Sequence, residues 1–190
     1  MVAARTRSTV HGQGGTTLIE VLVTLVIIAI GLLGLAQLQV RVQASEMDAY
    51  QRAQALLLLN DMVSRINTNR AEAAQYVTGL AALGADMTCP TDVSTRRATD
   101  LTEWCNALQG AGETSGGNRV GALIGGRGCI ESLGGTEYLV TVAWQGLSPI
   151  AALPDSVACG ENEYDGADGS NCVGDLCRRA VTARILVGAL

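Results

Sequence analysis

The 190-residue sequence has no phenylalanine and no lysine, and all 13 of its basic residues are arginine. It has a single histidine, His11, which lies ahead of the first long apolar run. The body of the chain therefore lacks the base of a Ser-His-Asp or Cys-His pair. It also has no CxxC, so a tetrahedral zinc site lacks its usual ligands. No GxSxG or phosphate loop stands between a strand and a helix, and the scattered carboxylates mark no acid/base pair. An enzyme is not expected, and neither is a bound metal or cofactor. Only three prolines occur, none between Thr16 and Cys89, so no ring interrupts a helix in that stretch. No second apolar run approaches about 18 residues, which limits the chain to one membrane span. The formal charge of -5 argues against a general nucleic-acid binder. Arg96-Arg97 and the trio Arg178, Arg179 and Arg184 read as solvated faces.

What is present begins with "TTLIEVLVTLVIIAIGLLGLA", Thr16 to Ala36, in which Glu20 is the only formal charge among 21 residues. At about 1.5 Å per helical residue this spans roughly 31 Å, close to the ~30 Å hydrocarbon thickness of a bilayer. Arg5 and Arg7 precede the run, and Glu46 and Asp48 follow it soon after. That charge pattern places the amino terminus in the cytoplasm and the remainder outside. A secretory signal has its small-residue cleavage site after the apolar region, whereas here "GQGG" stands before it. Cutting after Gly15 would put a new amine on Thr16 and make the carboxylate, Glu20, the fifth residue.

These residues, a basic leader ending in Gly15 and an apolar helix with an acid at its fifth position, resemble the class III signal of type IV pilins. The resemblance implies cleavage by a prepilin peptidase between Gly15 and Thr16, with N-methylation of Thr16; family members more often begin with Phe or Met. It implies that Glu20 meets the amine of a neighbouring subunit during assembly. Loss of the leader would take the net charge from -5 to -7 by removing Arg5 and Arg7.

Beyond the span the helix continues to about Asn69, with Val42, Ala49, Ala53, Leu56, Leu57, Val63 and Ile66 as one apolar stripe. Gly31 and Gly34 within the span allow close helix packing or local flexibility when the helix leaves lipid. "TDLTEWCNALQG", residues 99 to 110, reads as a short helix capped by Thr99 or Asp100, with Trp104 as a core anchor. "GAGETSGGN" reads as a loop. "RGCIESL", "EYLVTVAWQ" and "CRRAVTARILV" read as strands, the second with Tyr138, Val140, Val142 and Trp144 on one face and the third with Val181, Ala183, Ile185 and Val187. "GG" at 134 and 135 is a turn. The expected fold is α+β: a long amino-terminal helix, membrane-spanning in its first half, packed against a small antiparallel sheet in a disulfide-containing head.

Cys89, Cys105, Cys129, Cys159, Cys172 and Cys177 all follow the span, an even number that in an oxidising compartment reads as up to three disulfides. Proximity suggests Cys89 with Cys105, and Cys159 with Cys172 or Cys177. The connection 146–177 holds Asp155, Glu161, Glu163, Asp165, Asp168 and Asp175. It reads as a disulfide-pinned surface loop, and "DGADGSN" lacks EF-hand spacing for calcium.

The order of these segments is similar to that of the minor pilins. The resemblance implies a leader at 1–15, an assembly half of the helix at 16–40, a periplasmic half at 41–78 and a head at 79–190. It implies a bacterial inner-membrane protein with its head in the periplasm, later incorporated into the extracellular pilus. Its partners would be the inner membrane, the prepilin peptidase, the other minor pilins and major pilin, and the pilus assembly platform. Pilus assembly, adhesion and twitching motility would depend on it. A type II secretion pseudopilin and a membrane-anchored receptor or adhesin remain as alternatives.

Overall fold

The computed structural model describes residues 17–112, 114–116, 118–119, 121 and 123–188. The cleavage residues Gly15 and Thr16 lie outside them. The chain divides into two compact units, Met1–Gln43 and Ala44–Leu190.

Helix α1 runs Leu18–Thr68, as expected from 51 residues without proline. It opens where the Thr17 carbonyl accepts from the amides of Glu20 and Val21 at 3.0 and 3.3 Å. In the first unit every described residue is exposed. That surface is apolar enough for a bilayer: α1 is the one helix among the described residues with the length and hydropathy to cross a membrane.

In the second unit, α1 buries Gln51, Ala55, Leu59, Met62 and Ile66, spaced by three or four residues as one helix face requires. The stripe read from the sequence is therefore corrected. Ala49, Ala53, Leu56 and Leu57 are exposed, and of that set Ile66 alone is fully buried. Four consecutive leucines, Leu56 to Leu59, supply an apolar residue on every side of the helix, so the pattern does not fix its rotation. The fold does, through Arg65, whose guanidinium reaches Asp100 and Glu103 at 2.9 and 2.6 Å. Burial of Leu59, Met62 and Ile66 stabilises this packing by about 1.5–3 kcal/mol per side chain.

After Thr68 the chain tightens into a 3-10 helix, Arg70–Tyr76. Strand β1, Gly79–Gly84, follows; its "GLAALG" has no alternation and the sequence gives no sign of it. Helix α2, Arg96–Leu108, starts three residues earlier than expected. Its cap is Thr95, whose hydroxyl accepts from the Ala98 amide at 3.1 Å, rather than Thr99 or Asp100. The stretch read as a loop contains a short hairpin of β2, Thr114–Ser115, and β3, Asn118–Arg119. Strands β4, Arg127–Gly134, β5, Glu137–Gln145, and β6, Arg178–Leu186, fall where alternation places them. Gly134 and Gly135 turn β4 into β5 with φ of 106° and 58°, values that favour glycine.

The four-stranded sheet has the order β1-β4-β5-β6 and is antiparallel throughout. Tyr138, Val140, Val142 and Trp144 of β5 join Trp104 and Leu108 of α2 and the inward stripe of α1 in one core. Gly128 is what lets Trp104 in, because a Cβ there would lie 2.3 Å from the indole. The indole N–H donates to the Leu58 carbonyl at 2.9 Å.

Three disulfides close the head: Cys89–Cys105, Cys129–Cys159 and Cys172–Cys177. The first follows proximity, but Cys159 does not pair with Cys172 or Cys177. The connection folds back over the sheet, where Arg178 Nη1 donates to the carbonyls of Val157 and Cys159. Cys159 thus reaches β4, and its two neighbours along the chain are left to each other.

Candidate assembly site

Glu20 sits in the first turn of α1 and is exposed. A carboxylate there faces the positive end of the helix dipole. Among the described residues it has no ion-pair partner. Around it the surface is apolar: Leu18, Ile19 and Leu22 are 91, 72 and 62% exposed. Farther along, nothing lies within 4 Å of where a Cβ would stand on Gly31 or Gly34, so another helix can approach closely there. Among its described residues the first unit is thus an apolar stretch of helix with Glu20 in its first turn and Arg41 close to its other end, and none of its side chains is buried. In hydrocarbon the Glu20 charge costs at least about 2.5 kcal/mol without a partner.

The second unit carries a related feature. The face of α1 that turns away from the core exposes Ala49, Ala53, Leu56 and Leu57, with Leu57 at 63%. Scattered exposed leucines are ordinary, but a contiguous apolar face marks a contact surface.

Two ion clusters, each centred on a buried group, Asp100 or Arg127, tie separate elements of the head together. Asp100, 1% exposed, receives Arg65 Nη1 at 2.9 Å, Arg96 Nε at 3.1 Å and the Tyr76 hydroxyl at 2.6 Å. Asn69 in turn donates to that hydroxyl at 3.0 Å. Burial, together with the bond to Asp100, pushes the Tyr76 phenol up to about 12. The end of α1, the 3-10 helix and α2 are therefore joined through one carboxylate. Sequence reasoning missed this cluster, taking Asp100 for a cap; the Arg96 to Asp100 spacing of four residues was the one local sign.

On the other side of the sheet, Arg127 contacts Asp86, bonds Glu163 at 3.0 Å and lies 5.0 Å over the Tyr164 ring. The Tyr164 hydroxyl donates to the Gly125 carbonyl at 2.8 Å. Its phenol is pushed up to about 12 by burial, against the opposing pull of Arg127. This cluster brings together residues 77 positions apart, Asp86 and Glu163, and no local spacing reveals it.

Among the described residues no group of three or more His, Cys, Asp or Glu could hold a metal ion. Two acids of the connection serve its own main chain instead. Asp175 accepts from the Asn162 amide at 3.0 Å, and Asp165 accepts from the Asp175 amide at 2.9 Å.

Two family models match adjoining stretches of the sequence. Residues 11–36 match the prokaryotic N-terminal methylation motif, and residues 37–113 match a family described as type IV pilin Tt1218. Neither a curated protein nor a solved structure matches the chain.

Proposed function

We propose that this chain, a type IV pilin by the two adjoining segments that match, is a minor subunit similar to PilV, the type IV pilus modification protein. In this reading it enters the inner membrane through its amino-terminal helix, with the head in the periplasm. The prepilin peptidase cuts between Gly15 and Thr16, and the new amine of Thr16 is methylated. Assembly with other minor pilins and the major pilin then primes the pilus near its tip, in support of adhesion and twitching motility. The role is structural, like that of the family.

The observation that carries the reading is Glu20, which has no ion-pair partner among the described residues, on the otherwise apolar and fully exposed stretch 18–40 of α1. A lone carboxylate on such a surface needs a cation when the helix leaves headgroup water. The amine exposed by cleavage on a neighbouring subunit supplies one. The exposed face with Ala49, Ala53, Leu56 and Leu57 supports the same reading, since it offers a second stripe for helix contacts after the first has bound the head.

The test is Glu20→Gln, compared with the parent in membranes and in sheared surface filaments. Insertion, cleavage and head disulfides should be unchanged, while recovery in filaments falls about tenfold, equivalent to ~1.4 kcal/mol. Normal recovery of the variant, with normal pilus numbers, would refute the role given to Glu20.

A further inference from the structure

The two edges of the sheet differ. Edge strand β6 presents Arg179 and the exposed Arg184, its Arg178 being buried, and charge on an edge discourages pairing with another chain. Edge strand β1, "GLAALG", carries no charge and no proline. Leu80 and Ala81 are both exposed, although consecutive strand residues point to opposite faces, so this end of the strand is uncovered on both sides. The register also slips: between the pairs Gly79↔Ile130 and Leu83↔Gly128, residues Leu80, Ala81 and Ala82 stand opposite Cys129 alone. Such a bulge leaves main-chain groups that the ladder does not use. Among the described residues, no hydrogen bond outside that pairing reaches the main chain of Leu80, Ala81 or Ala82, while the Gly79 carbonyl accepts from the Thr78 hydroxyl at 3.3 Å.

Beside this edge lies an open cavity of about 430 Å3, whose wall includes Leu80 and Ala82 of β1 and Asp86, Arg127, Glu161 and Glu163. Three carboxylates face one guanidinium. Arg127 is shared between Asp86 and Glu163, and Glu161 has no ion-pair partner among the described residues. The cavity thus presents surplus negative charge next to an apolar edge with spare main-chain groups.

We propose that this edge and cavity take an extended, basic segment of a partner polypeptide. The segment lies beside residues 79–82 as an added strand and places an arginine or lysine side chain among Asp86, Glu161 and Glu163. Main-chain bonds hold the segment, and the alternate side chain entering the cavity selects it. The inference concerns the head alone and holds whichever filament or membrane assembly the chain serves.

The experiment uses the full chain in detergent micelles. The probe is an acetylated hexapeptide of alternating threonine and valine with arginine at its third position, and the control peptide has glutamate there. Amide hydrogen exchange should slow within residues 79–82 with the arginine peptide and not with the glutamate peptide. Affinity should fall about tenfold or more in Glu161→Arg, which reverses an exposed charge at the cavity wall. The milder Asp86→Asn should weaken binding less, and guards against a fold defect in the first variant. No slowing in β1, equal binding of the two peptides, or undiminished binding in Glu161→Arg would each overturn the proposal.

Discussion

The two units of this chain solve opposite problems with the same helix. In Met1–Gln43 every described side chain of α1 is exposed, so none of the described residues there forms a core. In Ala44–Leu190 the helix buries Ala55, Leu59, Met62 and Ile66 against a sheet, a second helix and a loop held by disulfides. The first stretch depends on lipid or on other helices for its stability, since an apolar surface of that extent is not left in water. The second depends on its own packing. Substitutions in one should therefore leave the other's property intact, and each expectation below tests that separation.

The largest effect belongs to the head. Trp104→Ala removes a fully buried indole together with its bond to Leu58, and should destabilise the head by about 3–5 kcal/mol. Chemical denaturation of the full chain in detergent, followed at Trp144, would measure it. Insertion of the amino-terminal helix should be unchanged; a defect there would break the comparison. Next, replacing Cys129 and Cys159 with alanine opens a bridge between residues 30 apart in sequence. The expected loss is about 3.6 kcal/mol by the chain-entropy account, read by the same denaturation. Cys172–Cys177 closes only 5 residues, and its removal should cost less.

The phenols give a pH dependence of similar kind. Tyr164 ordinarily ionises near 10 and is raised to about 12 by burial. Between those values the unfolded chain gives up the proton while the folded chain keeps it, so unfolding is favoured as pH rises. Head stability is expected to be flat from about pH 7 to 9 and to fall from pH 10 towards 12. Tyr164→Phe should flatten part of that fall, and an unchanged slope would refute the assignment. Smallest of all on stability is Leu57→Ser, at an exposed position of α1. Within the head it should change unfolding by no more than about 0.5 kcal/mol. Its recovery in sheared filaments should nevertheless drop, which sharpens the distinction between the helix face that holds the head and the face left open.

Much of this division was legible in the sequence. The long helix follows from a proline-free apolar run, and β4, β5 and β6 follow from alternation at positions such as Tyr138, Val140, Val142 and Trp144. Strand β1 was not legible, because Leu80, Ala81 and Ala82 neither alternate in polarity nor favour a sheet. Nor was the rotation of α1 in the head, where four leucines in a row are neutral and Arg65 decides through two partners on α2. The Cys129–Cys159 bridge was hidden for a related reason: a connection that folds back makes residues distant in sequence adjacent, while nearness along the chain favours the wrong pairs. Of the assembly site, Glu20 was plain as the one charge in an apolar stretch, but the exposed face through Ala53 and Leu57 emerged only once the core had taken the other.

The most direct test of the account is the amino-terminal sequence and intact mass of the protein from sheared surface filaments and from membranes. The account predicts a chain beginning at Thr16 in both fractions, with a mass increase from N-methylation. A chain that still begins at Met1 or Val2, found only in membranes, would contradict it and leave Glu20 as a carboxylate at the membrane edge.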